Sequence, residues 1–225
     1  MALHVIIDPG HGGSDKGAHR QGLYESEIVL DIANQLTQRL KDDSRIQVSQ
    51  TRTKNENMSL EERTRFAMAQ HGDIFVSIHV NSSPILKAHG AEIYFQNQLA
   101  ADQESLYLAA RENEEVNAKN GTGELDDLGS IIYDLHKQHQ IWTSFDIAKS
   151  IYKFWSQNQQ KVHIRQAPFH VLAEVEIPSV LVEVGFISNP EEFQWLKKPN
   201  THREIAESLY VSLTDFLKTW KKNRN

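Results

Sequence analysis

The chain has 225 residues, 39% of them hydrophobic and 24% charged, with a formal net charge of -6 at pH 7. That is enough apolar material for one sizeable core, and outside the short tail "KTWKKNRN" no basic stripe offers itself to nucleic acid. With no cysteine, disulfides and thiolate metal sites are excluded, so any metal must be held by carboxylates and by some of the 11 histidines.

The start "MALHVII" lacks the basic region and cleavage site of a secretory signal, and no window approaches the roughly 18 apolar residues of a membrane span. Within "VIIDPGHGGSDKGA" (5–18), the β-branched run "HVIID" (4–8) reads as a buried strand stopped by Pro9-Gly10. A glycine-rich turn after a strand raises the possibility of a phosphate cradle. The spelling excludes it, because neither a Gly-Lys-Ser/Thr ending nor a G-x-G-x-x-G run is present. What remains is a turn that presents His11 at a strand end.

From Glu25 the apolar residues Ile28, Val29, Ile32, Ala33, Leu36 and Leu40 recur at helical spacing, with Glu25 and Glu27 where the helix dipole favours negative charge. "IQVSQTR" (46–52) alternates as a strand, "SLEERTRFAMAQ" (59–70) opens with a capping-box spelling at Ser59 and Glu62, and "DIFVSIH" (73–79) is a third strand. This β-α-β-α-β order predicts an α/β fold with a mostly parallel twisted sheet, helices on both faces and ligands beyond the carboxyl ends of the strands. His11 and His79 fall there. "GAEIYFQ" (90–96), "PFHVL" (168–172) and "PSVLVEVGF" (178–186) bring the sheet to about six strands. From His202, Ile205, Leu209, Leu213, Phe216 and Trp220 mark an amphipathic closing helix. The whole chain, 1–225, reads as one domain carrying a helical insertion at 98–142, which is acidic and interrupted at Gly121 and Gly123.

If these strands are right, His11, Glu25 and His79 converge at one end of the sheet. Two imidazoles and a carboxylate form a catalytic zinc set with one position left for water. Glu183, a charge at the end of an apolar strand, is the candidate proton acceptor. Each residue alone has a simpler explanation. His11 could be a turn residue, Glu25 a helix-terminal charge, His79 a core histidine, and Glu183 the partner of Arg52 or Arg63.

Together, "IIDPGHGGSDKGA", "GLYESEIVLDIA", "VSIHVNSS", "GAEIYF" and "IPSVLVEVGFISNPEE" resemble, in this order, the zinc-dependent N-acetylmuramoyl-L-alanine amidases of the cell wall. The resemblance runs from about Val5 to Leu217. It implies one zinc ion, and hydrolysis of the amide between N-acetylmuramic acid and the L-alanine of the peptidoglycan stem. His11, Glu25 and His79 fall on the family's metal positions, Glu183 on its catalytic glutamate, and Asn81 and Arg63 on positions that support the site. Glu27 is the near competitor of Glu25, but "GLYESE" aligns at Glu25.

Residues 102–127 carry eight carboxylates against two basic residues. "LAARENEE" is similar to the segment with which cell-separation members of the family cover their own site, placing a glutamate on the zinc until an activator protein withdraws it. Glu112 is the expected blocking residue, with Glu115 as the alternative. The resemblance thus implies a role in cell separation or wall remodelling, a peptidoglycan substrate, action in the periplasm or outside the cell, and a monomer. Two other readings compete: a catalytically silent protein that binds peptidoglycan or a partner, and a zinc carboxypeptidase. The latter needs a fixed arginine for a substrate carboxylate, which the sequence does not assign among Arg52, Arg63 and Arg65.

Overall fold

The computed structural model describes residues 2–97, 100–114, 127–156 and 161–222. Its centre is β1 (Leu3–Pro9), a run buried at every position, which pairs in parallel with β4 (Ile46–Gln50) on one side and β5 (Ile74–Asn81) on the other. Next to β5 lies β8 (Ser179–Phe186), also parallel, then β6 (Ala91–Gln96), and at the far edge β7 (Val162–Ala167). Only the β6–β8 pairing in this six-stranded sheet is antiparallel. A two-residue ribbon, β2 (His19–Arg20) with β3 (Leu23–Tyr24), leads into α1 (Glu25–Lys41).

The alternation of the strands sorts their side chains into two cores. Val5, Ile7, Val76, Ile78, Val180 and Val182 face α1, the second half of α4 (Asp127–Ser156) and α7 (Pro199–Lys222). Ile6, Phe75, Tyr94 and Leu181 face α2 (Leu60–Ala69), α3 (Gln103–Glu112) and α5 (His170–Glu174). Because neighbours two apart share a face, Asp8, Ser77, His79, Asn81, Glu92 and Glu183 line the second face beyond its apolar part. The sheet's polar end thus lies on the side that α3 covers.

Local signals explain the helix starts. α1 carries Glu25 and Glu27 in its first turn and Arg39 and Lys41 in its last, in keeping with its dipole. At α2 the capping box forms in both directions: Ser59 Oγ accepts from the Glu62 N–H, and the Glu62 carboxylate accepts from the Ser59 N–H. Asn189 caps α6 (Pro190–Leu196), with proline in its first turn.

The strand expected at 168–172 is displaced. The edge strand is 162–167, and His170–Glu174 is a short helix. Pro168 has no N–H to extend the ladder, and Val171 and Leu172 enter the second core from a helical turn instead. The region expected at 98–142 holds α3 and the first half of α4, while Glu115, Gly121 and Gly123 lie outside the described residues. α4 continues without a break into Ile147, Ala148, Ile151 and Trp155, which belong to the first core.

Candidate metal centre

The turn after β1 is held by two buried arginines. Arg52 donates to the carbonyls of Pro9 (3.0 Å), Gly10 (2.6 Å) and Ser26 (3.0 Å). Arg63 of α2 donates to those of Pro9 (2.8 Å) and His11 (2.7 Å), and to the Asp8 carboxylate (2.8 Å). Burial and the neighbouring Arg63 charge push the Arg52 pKa down to about 10. Neither arginine pairs with Glu183; both brace the loop that carries His11. Glycine is needed where this loop meets the site, since a Cβ at Gly10 would lie 2.3 Å from the His79 ring. At Gly17, whose φ is +62°, a Cβ would lie 2.6 Å from both Glu25 Oε2 and the His11 ring.

His11 Nε2 lies 3.2 Å from Glu25 Oε1, and His79 Nδ1 lies 3.0 Å from the same oxygen. One donor atom from each of these three residues falls within 4.8 Å of the others, the single such group among the described residues. Glu25 is aimed by its position: the Ala18 and Val80 N–H groups donate to its two oxygens at 2.8 and 2.9 Å. Glu27, two residues on, is exposed and points elsewhere. Burial opposes ionisation of Glu25, but His11 and His79 outweigh it and hold the carboxyl well below its ordinary value. Burial likewise works against a charged His11, yet Glu25, Asp15 and Glu112 raise its pKa well above the ordinary range. Such a cluster attracts positive charge, and His11 Nε2 is buried with no hydrogen-bond partner among the described residues. The residues fit a cation held by His11, Glu25 and His79.

Glu183 stands beside His79 in the β5–β8 register and opposite Glu92 across β6–β8. It is fully buried, and neither carboxylate oxygen has a hydrogen-bond partner among the described residues. Burial, followed by the charges of Glu25 and Glu112, pushes its pKa well above the usual carboxylate range. Asn81 donates to Glu92 (3.0 Å), which also receives the Tyr94 hydroxyl (2.9 Å) and pairs with Arg165 (2.8 Å).

α3 closes the site from above. Glu112 Oε2 lies 3.4 Å from His11 Nε2 and 3.5 Å from His79 Nδ1, while its other oxygen is held by Arg111 (3.0 and 3.2 Å). Arg111 in turn donates to the Ser82 carbonyl (3.1 Å). Asp102, which caps α3, pairs with Arg165. A cavity of about 360 Å³ runs between Gly10, His11, His79, Arg111, Glu112 and Val171.

The Amidase_3 family, described as N-acetylmuramoyl-L-alanine amidase, matches residues 5–215. The chain belongs to this amidase family. It is 36% identical over 212 residues to the N-acetylmuramoyl-L-alanine amidase AmiA of Salmonella typhimurium, covering 91% of this chain and 73% of that protein. Among solved structures, an N-acetylmuramoyl-L-alanine amidase of Clostridium difficile superposes with a TM-score of 0.67 at 25% identity, over 96% of this chain and 97% of that one. The CwlD amidase of Clostridioides difficile, solved in complex with the GerS lipoprotein, shares the fold with a TM-score of 0.71 at 22% identity. That match covers 96% of this chain and 99% of CwlD.

His11, Glu25 and His79 converge with Glu112 of the insertion against them, and Glu183 stands next to His79 on the neighbouring strand. Asn81 and Arg63 stand one step back, the first on Glu92 and the second on the His11 loop. Sequence reasoning passed over Asp15 and Arg111. Asp15 was visible as a carboxylate four residues after His11 in the same glycine turn, and Arg111 as a cation adjoining the candidate blocking glutamate. No helix among the described residues is long and apolar enough to cross a membrane.

Proposed function

We propose that the chain is a zinc-dependent peptidoglycan amidase that hydrolyses the amide between N-acetylmuramic acid and the L-alanine of the stem peptide. The observation that carries this reading is the convergence of His11, Glu25 and His79 donors beside a buried, unpartnered Glu183, in a chain of this family. One zinc ion held by the three would polarise the scissile carbonyl and make a water acidic enough to attack near neutral pH. Glu183 takes the proton from the attacking water and delivers it to the leaving alanine nitrogen, a role open to it because a bound cation beside His79 would offset the burial and carboxylate charges that keep it protonated in the metal-free protein. Glu25, fixed by two backbone N–H groups, keeps its negative charge on the metal, and the arginine-braced turn keeps His11 in place. Asn81 and Arg63 support the site without touching the reacting atoms.

In the same reading the enzyme is autoinhibited. Glu112 Oε2 lies within 3.5 Å of a ring nitrogen of both His11 and His79, where it would act as a fourth ligand to a cation held there and close the position a catalytic water needs. An activator protein would have to withdraw α3. CwlD, similar in fold, was solved with a lipoprotein partner, which supports regulation by a second protein. Cell separation or wall remodelling is the role that fits, at the periplasmic or outer side of the membrane where the substrate lies. The chain would act as a single catalytic domain with its regulatory insertion.

The test is incubation of the zinc-loaded protein with intact peptidoglycan, with soluble products identified by mass spectrometry. Stem peptides with a free N-terminal alanine and no sugar are expected. Loss of only carboxyl-terminal residues would make it a carboxypeptidase. If both the unaltered protein and a Glu112→Ala variant release nothing while folded and zinc-bound, a binding role replaces the enzymatic one.

A further inference from the structure

We propose that Asp15 is a positioning residue for the metal centre: it fixes the tautomer of His11 so that Nε2 carries the lone pair presented to the cation. The inference rests on reading His11 as a ligand.

A neutral imidazole has one N–H and one lone pair, and the hydrogen bond at one nitrogen decides which atom is free to bind a metal. His11 Nδ1 lies 2.7 Å from Asp15 Oδ2. An ionised carboxylate only accepts, so this nitrogen carries the proton. Asp15 cannot easily turn away. Its other oxygen accepts the Gly17 N–H at 3.0 Å, and its backbone forms a two-bond bridge with Gly12, at 2.8 and 3.2 Å.

The opposite edge of the ring faces the site. Nε2 lies 3.2 Å from Glu25, is buried and makes no hydrogen bond. His11 also has a φ of +55°, a left-handed backbone that is uncommon for a residue with a side chain. The backbone and Asp15 therefore fix the ring from two sides. His79 is held differently. Its ring is packed so closely by Gly10 that no Cβ fits between them. One ligand is thus set by a hydrogen bond and the other by packing.

The experiment measures zinc affinity by chelator competition on the full chain and on Asp15→Ala and Asp15→Asn. It adds a long-range proton–nitrogen NMR spectrum of the His11 ring in each zinc-loaded protein, and the thermal midpoint of each zinc-free one. Loss of the carboxylate in Asp15→Ala should weaken zinc by about 10–100-fold. Asp15→Asn, whose side-chain oxygen can still accept the Nδ1 proton, should recover part of that loss. In the unaltered protein the proton should reside on Nδ1. Equal zinc affinity in all three overturns the inference alone, as does a proton found on Nε2. A lowered thermal midpoint with undiminished zinc affinity reduces Asp15 to a turn former and overturns it too. If the unaltered chain binds no zinc, the zinc reading falls and this inference with it.

Discussion

Glu183 and His79 are direct neighbours on parallel strands, and both project to the face of the sheet that α3 covers. The pairing puts a carboxyl with no hydrogen-bond partner next to a metal-ligand candidate. Glu183→Gln keeps the shape and removes the proton carrier. Turnover should fall by about 10²–10⁴-fold, the usual contribution of a positioned acid–base group, with zinc content unchanged. The same change has a stability signature in the metal-free protein. Because the folded pKa of Glu183 is raised, the native state holds a proton that the unfolded chain releases above about pH 4.5. Stability attributable to this group therefore declines as pH rises from 4.5 toward the folded value. Glu183→Gln should abolish that decline and raise the thermal midpoint at pH 7, as scanning calorimetry would show. A midpoint unchanged at pH 7 would count against the buried, protonated state.

Glu112 is the obvious release point for activity. Removing it by Glu112→Ala deletes the approaches of 3.4 and 3.5 Å that its Oε2 makes to the two imidazoles. Hydrolysis of peptidoglycan by the isolated protein should rise, with kcat the parameter that moves. Excising 98–142 is a poorer test. Leu108 and Ala109 of α3 are buried in the second core, and a cut at 142 truncates α4 ahead of its core residues. A deletion could thus lose activity by unfolding. The point substitution leaves the packing intact, so unchanged hydrolysis would remove Glu112 from its blocking role.

The parallel order of the sheet was legible because β1, β5 and β8 are short apolar runs bounded by Pro, Gly or Asp, and because Ser59 and Glu62 spell a helix start. His11, Glu25, His79 and Glu183 were singled out by the family resemblance of their motifs rather than by local pattern, and the strand end expected at Glu183 is not there: β8 runs on through Val184 and Gly185 to Phe186, because these residues are also buried in the sheet. β7 was not legible. Its residues VHIRQA alternate apolar with charged and polar, as suits an edge strand with one wet face, and the more apolar "PFHVL" next to it attracted the assignment. Arg52 or Arg63 stood as the simpler alternative partner for Glu183. Their true partners are backbone carbonyls of the His11 turn, and carbonyls leave no mark in a sequence.

The glycines around the site make a third expectation. Gly17→Ala combines a left-handed φ with a Cβ 2.6 Å from Glu25 Oε2 and the His11 ring. Backbone strain alone costs about 1–3 kcal/mol, and relief requires Glu25 or His11 to move. Gly22, also at positive φ (+81°), has open space where its Cβ would go. Gly22→Ala is therefore the control: it carries the backbone cost without the collision. Both variants should lower the thermal midpoint, but only Gly17→Ala should reduce zinc stoichiometry or affinity. Equal zinc binding in the two would mean that the centre tolerates displacement of its ligands.

Asp8 and Arg63 supply the pH dependence on the acid side. Asp8 is buried on the same face as His79, receiving Arg63 (2.8 Å), Thr51 (2.7 Å) and Ser77 (2.8 Å). Burial opposes its charge, but the Arg63 guanidinium and these hydrogen bonds prevail and hold the carboxyl below its ordinary value of 3.8. A carboxyl with a lowered folded pKa contributes stability that is complete above 3.8 and disappears as pH falls through the folded value. Asp8→Asn should therefore cost about 3–5 kcal/mol near neutral pH, since it leaves Arg63 buried without its counter-charge. It should also flatten the decline in stability below pH 3.8. Urea midpoints followed from pH 7 to pH 2 test both. Because Arg63 also holds the carbonyls of Pro9 and His11, the same variant should loosen the turn and weaken zinc. A variant that loses stability while binding zinc as tightly as before would place this ion pair in the core alone and leave Arg52 as the brace of the site.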